Sequence, residues 1–227
     1  MSDDDRPMIV VEDLVKRYNH DKAPVIDSAS LRVEKGEMVV LMGRSGCGKT
    51  TLLNLIAGLD RPTSGEIVVN GASLSGMSED ELARFRLLNI GFVFQDYNLI
   101  SELTILENVT LPLKLAGDKT LERAQKLLEI FDITGLAEEK ANTVSGGEAQ
   151  RAAIARAIAN KPKVLLADEP TGNLDAENET NVMNYFKKIQ NKFDTTIVVA
   201  THNKELSSYG NRTLQVTDLV KANDSEG

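Results

Sequence analysis

One stretch constrains this chain more than any other: an apolar run that ends in a glycine-rich turn and resumes as a helix. Glu37–Met42 reads as a buried strand and leads into Gly43-Arg44-Ser45-Gly46-Cys47-Gly48-Lys49-Thr50, after which Leu52–Leu59 has helical spacing. Glycine, four residues, then Gly-Lys-Thr between a strand and a helix is a pattern that wraps backbone N–H groups around phosphate oxygens. The helix N-terminus adds favourable partial charge. On this reading Lys49 reaches the β- and γ-phosphates of a nucleotide, Thr50 ligates magnesium, and Thr51 completes the loop. The competing explanation is a plain turn before a helix, but Lys-Thr at a helix start serves no turn.

Around this element, β-like runs alternate with helical ones. Met8–Leu14, Ser30–Val33, Glu66–Asn70 and Gly91–Gln95 read as strands, as do Lys163–Ala167 and Thr195–Thr201, with an amphipathic helix near Glu177–Lys192. That alternation predicts an α/β fold with a mainly parallel sheet covered on both faces. The stretch from Leu103 to Ala159 is mainly helical and breaks the rhythm. It predicts a helical subdomain, about residues 97–159, inserted into a core of about 1–96 and 160–227. Pro112 should break or kink any helix there.

The 227 residues suffice for one domain with a sizeable core. A net charge of −8 argues against a nucleic-acid partner. The single cysteine, Cys47, excludes an intramolecular disulfide. Its thiol lies near a helix N-terminus and a lysine, so it is either reactive or simply packed against the sheet. The acidic start, MSDDDRPM, has no secretory h-region, and no apolar run approaches a bilayer span. A cytoplasmic chain is expected, with any membrane part supplied by another polypeptide. The two polar ends, Met1–Pro7 and Ala222–Gly227, should fray.

A second acidic motif follows. Lys163-Val164-Leu165-Leu166-Ala167-Asp168-Glu169-Pro170 is an apolar strand ending in two carboxylates. Beside a phosphate loop, Asp168 would hold magnesium and Glu169 would polarise an attacking water; taken alone, the pair would be a solvated acidic turn. Upstream, Ser145-Gly146-Gly147-Glu148 opens a helical run through Ile154 and Ile158. Ser145 with Glu148 three residues on is a capping box. The same geometry offers free N–H groups at a positive helix end. Because the phosphate loop already holds this chain's own nucleotide, a second phosphate site suggests nucleotide held by a second copy.

Taken in order, these elements resemble the nucleotide-binding subunits of ATP-binding cassette transporters over nearly the whole length. The resemblance implies a P-loop, RecA-like core with an N-terminal antiparallel β subdomain and an inserted helical subdomain. It implies ATP and magnesium as ligands, a homodimer with ATP at the interface, and an integral membrane permease that the chain serves from the cytoplasmic face. Tyr18 would stack on adenine, or is an ordinary surface tyrosine. Gln95 would contact magnesium and link core to insert, or caps a strand. Val144-Ser145-Gly146-Gly147-Glu148 matches the LSGGQ signature except at its first and last positions. Asp175, in Asn173-Leu174-Asp175, would cross the dimer interface, or caps a helix. His202 would act as the switch near the γ-phosphate, or caps the next helix. His20 matches nothing and belongs to a solvated loop. The wording of residues 103–113 and 167–175 is similar to the lipoprotein-release and macrolide-exporter branch. The apolar run Leu99–Leu115 either meets the permease or forms the insert's own core. A non-transport ATPase using the same dimer engine is the alternative function.

Overall fold

Hydrophobic patterning sorts the strands into two sheets. The computed structural model describes residues 6–19, 23–118 and 120–219, so the expectations for His20 and for residues 1–5 and 222–227 lie outside it. Strands with mixed burial, β1 (Ile9–Lys16), β2 (Ile26–Val33), β4 (Ser64–Val69) and β5 (Ala72–Ser73), form a sheet in the order β2-β1-β4-β5. Its pairings are antiparallel. The other five, β3 (Met38–Met42), β6 (Ile90–Val93), β7 (Val164–Asp168), β8 (Thr196–Thr201) and β9 (Arg212–Gln215), form a parallel sheet in the order β6-β7-β8-β3-β9. Every residue of β3, β7 and β8 is buried, as a strand covered on both faces requires.

Two cores follow from the period of two along these strands. Leu166 and Val198 face a core shared with the antiparallel sheet and with Leu52, Leu53 and Ile56 of α1 (Lys49–Ile56). Their neighbours Leu165, Ile197 and Val199 face the second core. There they meet α3 (Ile105–Leu115), α4 (Glu122–Ile130), α5 (Gly146–Ala157) and α6 (Ala176–Phe193) through Val109, Leu128, Ile154 and Phe186. Two short elements complete the picture, α2 (Glu79–Asn89) before β6 and α7 (Val216–Leu219) after β9. No described helix is long and apolar enough to cross a membrane.

Two expectations need correction. The helix after the glycine loop begins at Lys49, not Leu52, because its first turn is the polar Lys-Thr-Thr that hydrophobic spacing does not register. Of the two effects expected of Pro112, the break does not occur, since α3 runs through it from Ile105 to Leu115. Proline removes the bond its own N–H would make and crowds the Asn108 carbonyl, yet the buried Val109 and Leu113 hold the helix on either side. The Pro112 carbonyl is bonded twice, by the Ala116 N–H at 3.0 Å and the Asn160 amide at 3.0 Å. The apolar run Leu99–Leu115 is buried in part. Ile105, Val109 and Leu113 are core, whereas Leu115 is 66% exposed.

Strand register sets where chemistry happens. Met42 pairs with Thr201, and Asp168 with Ala200, so β3, β7 and β8 end side by side. The glycine loop, the Asp168–Glu169 pair and His202 therefore emerge at the carboxyl edge of the parallel sheet. That is the edge where open α/β sheets bind ligands.

Candidate active site

The glycine loop is shaped by backbone that a side chain would obstruct. Gly48 caps α1 with φ +98°, and a Cβ there would lie 2.7 Å from Ile26 Cδ1 and 3.1 Å from the Val25 carbonyl. Gly46, at φ +80°, has nothing within 4 Å of its Cβ position and faces open space. Lys49 is buried, and its ammonium donates to the Gly43 carbonyl at 2.8 Å and the Arg44 carbonyl at 3.3 Å. It also pairs with Glu169 Oε1 at 3.1 Å.

Glu169 sits at the end of β7 in a left-handed conformation, φ +45°, which costs a non-glycine residue strain. Its N–H donates to the Ala200 carbonyl of β8 at 2.9 Å, which holds the turn. The carboxylate spans two partners, Lys49 through Oε1 and His202 Nδ1 through Oε2 at 2.9 Å. The His202 N–H also donates to Oε2, at 3.3 Å.

Asp168 is buried one residue earlier. Burial pushes its carboxyl above the usual range, a bond with the Thr50 hydroxyl opposes that, the Glu169 charge adds to it, and Lys49 counters. Its Oδ1 is buried without a hydrogen-bond partner. A buried, unsatisfied carboxylate oxygen is expensive unless a cation or donor meets it. Beside the Thr50 hydroxyl, this donor set fits an oxygen-preferring cation such as magnesium.

Lys49, Thr50, Glu169 and His202 share one cleft of about 790 Å³, walled by Gly43–Gly46, Gly48–Thr51 and Gln95 as well; Asp168 is not among its lining residues. Gln95 reaches it from the loop after β6, with its Nε2 3.3 Å from the Cβ position of Gly172. Val25, Met42, Lys204 and Gln215 also line it, and no motif singled them out. They arrive from strand flanks and loops, where only the fold brings them near.

Other candidates lie elsewhere. Tyr18 is not among the cleft residues; it is 64% exposed, and its hydroxyl donates to Asp60 at 3.0 Å. Cys47 is half-buried, and its thiol packs against Gly43 and the first core rather than lining the cleft. Asp175 caps α6, accepting the Asn178 N–H at 2.9 Å. Ser145, Gly146 and Gly147 open α5 away from this cleft. There Glu148 accepts the Ser145 N–H at 2.8 Å and its hydroxyl at 2.6 Å. Cβ atoms on Gly146 and Gly147 would stand 3.0 Å from the Tyr97 hydroxyl and 3.0 Å from the Asn178 side-chain oxygen. The chain's own phosphate loop and its signature are thus separate surfaces.

Comparison with known proteins agrees with this architecture. The model of the family described as ABC transporter matches residues 26–172. The lipoprotein-releasing system ATP-binding protein LolD of Bacteroides fragilis is 42% identical over 214 residues, covering 93% of this chain and 98% of the relative. The macrolide export ATP-binding/permease protein MacB of Rhodopirellula baltica is 44% identical over 225 residues, 96% of this chain but 33% of the longer relative. Among solved structures, the dimeric post-hydrolysis state of the ATP-binding cassette MJ0796, bound to ADP and Pi, superposes with a TM-score of 0.85 at 38% identity. That match covers 92% of this chain and 94% of the other. The chain belongs to the ABC transporter family, whose ATP-binding subunits are ATPases.

Proposed function

We propose that this chain is the ATP-hydrolysing subunit of a transporter, working as a pair of copies on a separate membrane permease. The observation that carries the proposal is the convergence of Lys49, Thr50, Gln95, Glu169 and His202 on one cleft, with Asp168 bonded beneath it. Loop N–H groups and Lys49 bind the phosphates. Thr50, Asp168 and Gln95 would hold magnesium, which when bound neutralises charge on the β- and γ-phosphates. Glu169, anchored through Ala200, accepts the proton of the attacking water, and His202 orients Glu169 and faces the γ-phosphate. Ser145–Gly147 of a second copy closes over the nucleotide, so each ATP touches both chains. A ligand that contacts both halves only when closed drives closure, and loss of the γ-phosphate reverses it. Tyr18 and Asp175 serve adenine and the dimer interface respectively.

The permease reading draws on a groove of about 370 Å³ between the core and the insert, lined by Leu59, Phe92, Phe94, Leu111, Pro112 and Leu115 among others. The groove suits an apolar helical segment of the permease, with the chain held peripherally at the cytoplasmic face. The MacB relative, named as ATP-binding and permease protein together, supports that partnership. The test is a magnesium-dependent ATPase assay on the wild type and Lys49→Ala, where the variant should lose roughly 100-fold or more. Absence of hydrolysis in the wild type, or an unaffected variant, would overturn the reading.

A further inference from the structure

Gln150 is fully buried on α5, yet only half of its amide is used. Its Nε2 donates to the carbonyl of Pro170 at 2.6 Å, while Oε1 is buried with no partner. A proline carbonyl can only accept, so the amide orientation is fixed. Pro170 directly follows Glu169, whose backbone is held in the left-handed region. A buried amide with an orphaned acceptor is a poor way to fill a core, because the unmatched oxygen opposes folding. What the side chain supplies is one strong bond to the turn carrying the catalytic carboxylate.

Placement gives that bond a purpose. Gln150 lies five residues after Ser145 on one rigid helix, about 7.5 Å along its axis. Whatever seats the N-terminus of α5 also moves Gln150. The Glu169 turn has two ties flanking Gln150's: Ala200 accepts its first N–H, and the Asn173 amide donates to the Gln95 carbonyl at 3.3 Å. The Gln150 bond is thus a direct link from the signature helix to the catalytic turn of the same chain.

We propose that Gln150 is a positioning residue that sets Glu169 according to how the signature of its own chain sits on the partner's nucleotide, coupling the two ATP sites. The proposal rests on the dimer reading above. Gln150→Met keeps the shape and removes the donor, exchanging the orphaned Oε1 for an unpartnered Pro170 carbonyl. With one orphaned acceptor before and one after, it should fold with a thermal midpoint close to that of the wild type. Its kcat for ATP should fall at least tenfold while KM stays within about twofold. In a Glu169→Gln background it should still form the ATP-dependent dimer on size-exclusion chromatography. Gln150→His, which retains a donor, should recover at least a third of the wild-type kcat. A Gln150→Met chain with wild-type kcat overturns the proposal. So does one whose KM or dimerisation worsens in step with kcat, one that fails to fold, or a Gln150→His variant no better than Gln150→Met, since the bond is then merely structural. A wild-type chain that does not hydrolyse ATP, or a Glu169→Gln chain that does not dimerise, strikes the dimer reading itself and this proposal with it.

Discussion

At the scale of single residues, the proposed mechanism asks two things of Glu169: to hold Lys49 and His202 in place, and to accept a proton. Glu169→Gln separates them, because the amide keeps the shape but loses the basicity. Hydrolysis should fall by roughly 10²–10⁴-fold, the range typical of a positioned general base, while ATP binding persists and the ATP-bound dimer accumulates. Near wild-type turnover with tight ATP binding would remove Glu169 from the base role. Cys47 makes the opposite point. Sequence position places its thiol beside the phosphates, yet the fold turns it toward Gly43 and the first core. Cys47→Ser should therefore hydrolyse ATP within about twofold of wild type, and N-ethylmaleimide should label the native chain slowly at a packed thiol. Rapid labelling that abolishes activity and is blocked by ATP would contradict that orientation. Asp168, Glu169 and Lys49 were legible in the sequence because strand, loop and residue type agree. The direction of the Cys47 side chain was not, since spacing alone does not say which way a loop residue turns.

At the scale of elements, legibility tracked apolar content. β3, β7 and β8 are unbroken apolar runs and read correctly. By contrast, α2 carries one buried residue, Leu82, among Glu79, Asp80, Glu81 and Arg84, so no apolar stripe announces it. It is defined instead by the Ser78–Glu81 capping box, with the Ser78 N–H donating to Glu81 at 2.8 Å. The β9 strand is short and mostly exposed, and only its parallel pairing with β3 makes it a strand. The start of α3 depends on one buried side chain. Asn108 accepts the Ile100 N–H at 2.8 Å and donates toward the carbonyls of Ile100 and Thr104 at 3.1 and 3.0 Å, pinning the loop before the helix. Asn108→Leu fills the space but strands those backbone groups, so it should destabilise the chain by about 2–4 kcal/mol in urea unfolding. A midpoint unchanged at constant slope would show that water satisfies the loop without Asn108.

At the scale of the whole molecule, the decisive feature is a separation: the signature at the start of α5 does not line the cleft that holds Lys49, Thr50 and Glu169. On the proposed dimer, one chain presents half of two different sites, and function should be rescued between chains. Lys49→Ala disables the phosphate loop of its own chain. Ser145→Arg adds bulk and charge to the helix end that would meet the partner's nucleotide in the proposed dimer. Each homodimer then has two defective sites and should be inactive. In a mixed dimer, the Lys49→Ala loop faces the Ser145→Arg signature, so both defects fall on one composite site. The other site pairs an intact loop with an intact signature. If α5 works in trans, mixing equal amounts should restore hydrolysis. Random pairing makes about half of the dimers mixed, each with one of two sites intact, so up to about a quarter of wild-type activity is expected where sites act independently. If the signature served its own chain, each site of a mixed dimer would carry one defect, and mixing would restore nothing. Coupling of the two sites through Gln150 would lower the recovered activity below a quarter. Loss of all recovery, with interface crosslinking showing that mixed dimers do form, would mean either that both sites must fire together or that the signature acts in cis. Adding Gln150→Met to both chains separates these: measured against the Gln150→Met homodimer, itself at most a tenth as active as the wild type, uncoupled sites should recover up to about a quarter only if the geometry is in trans.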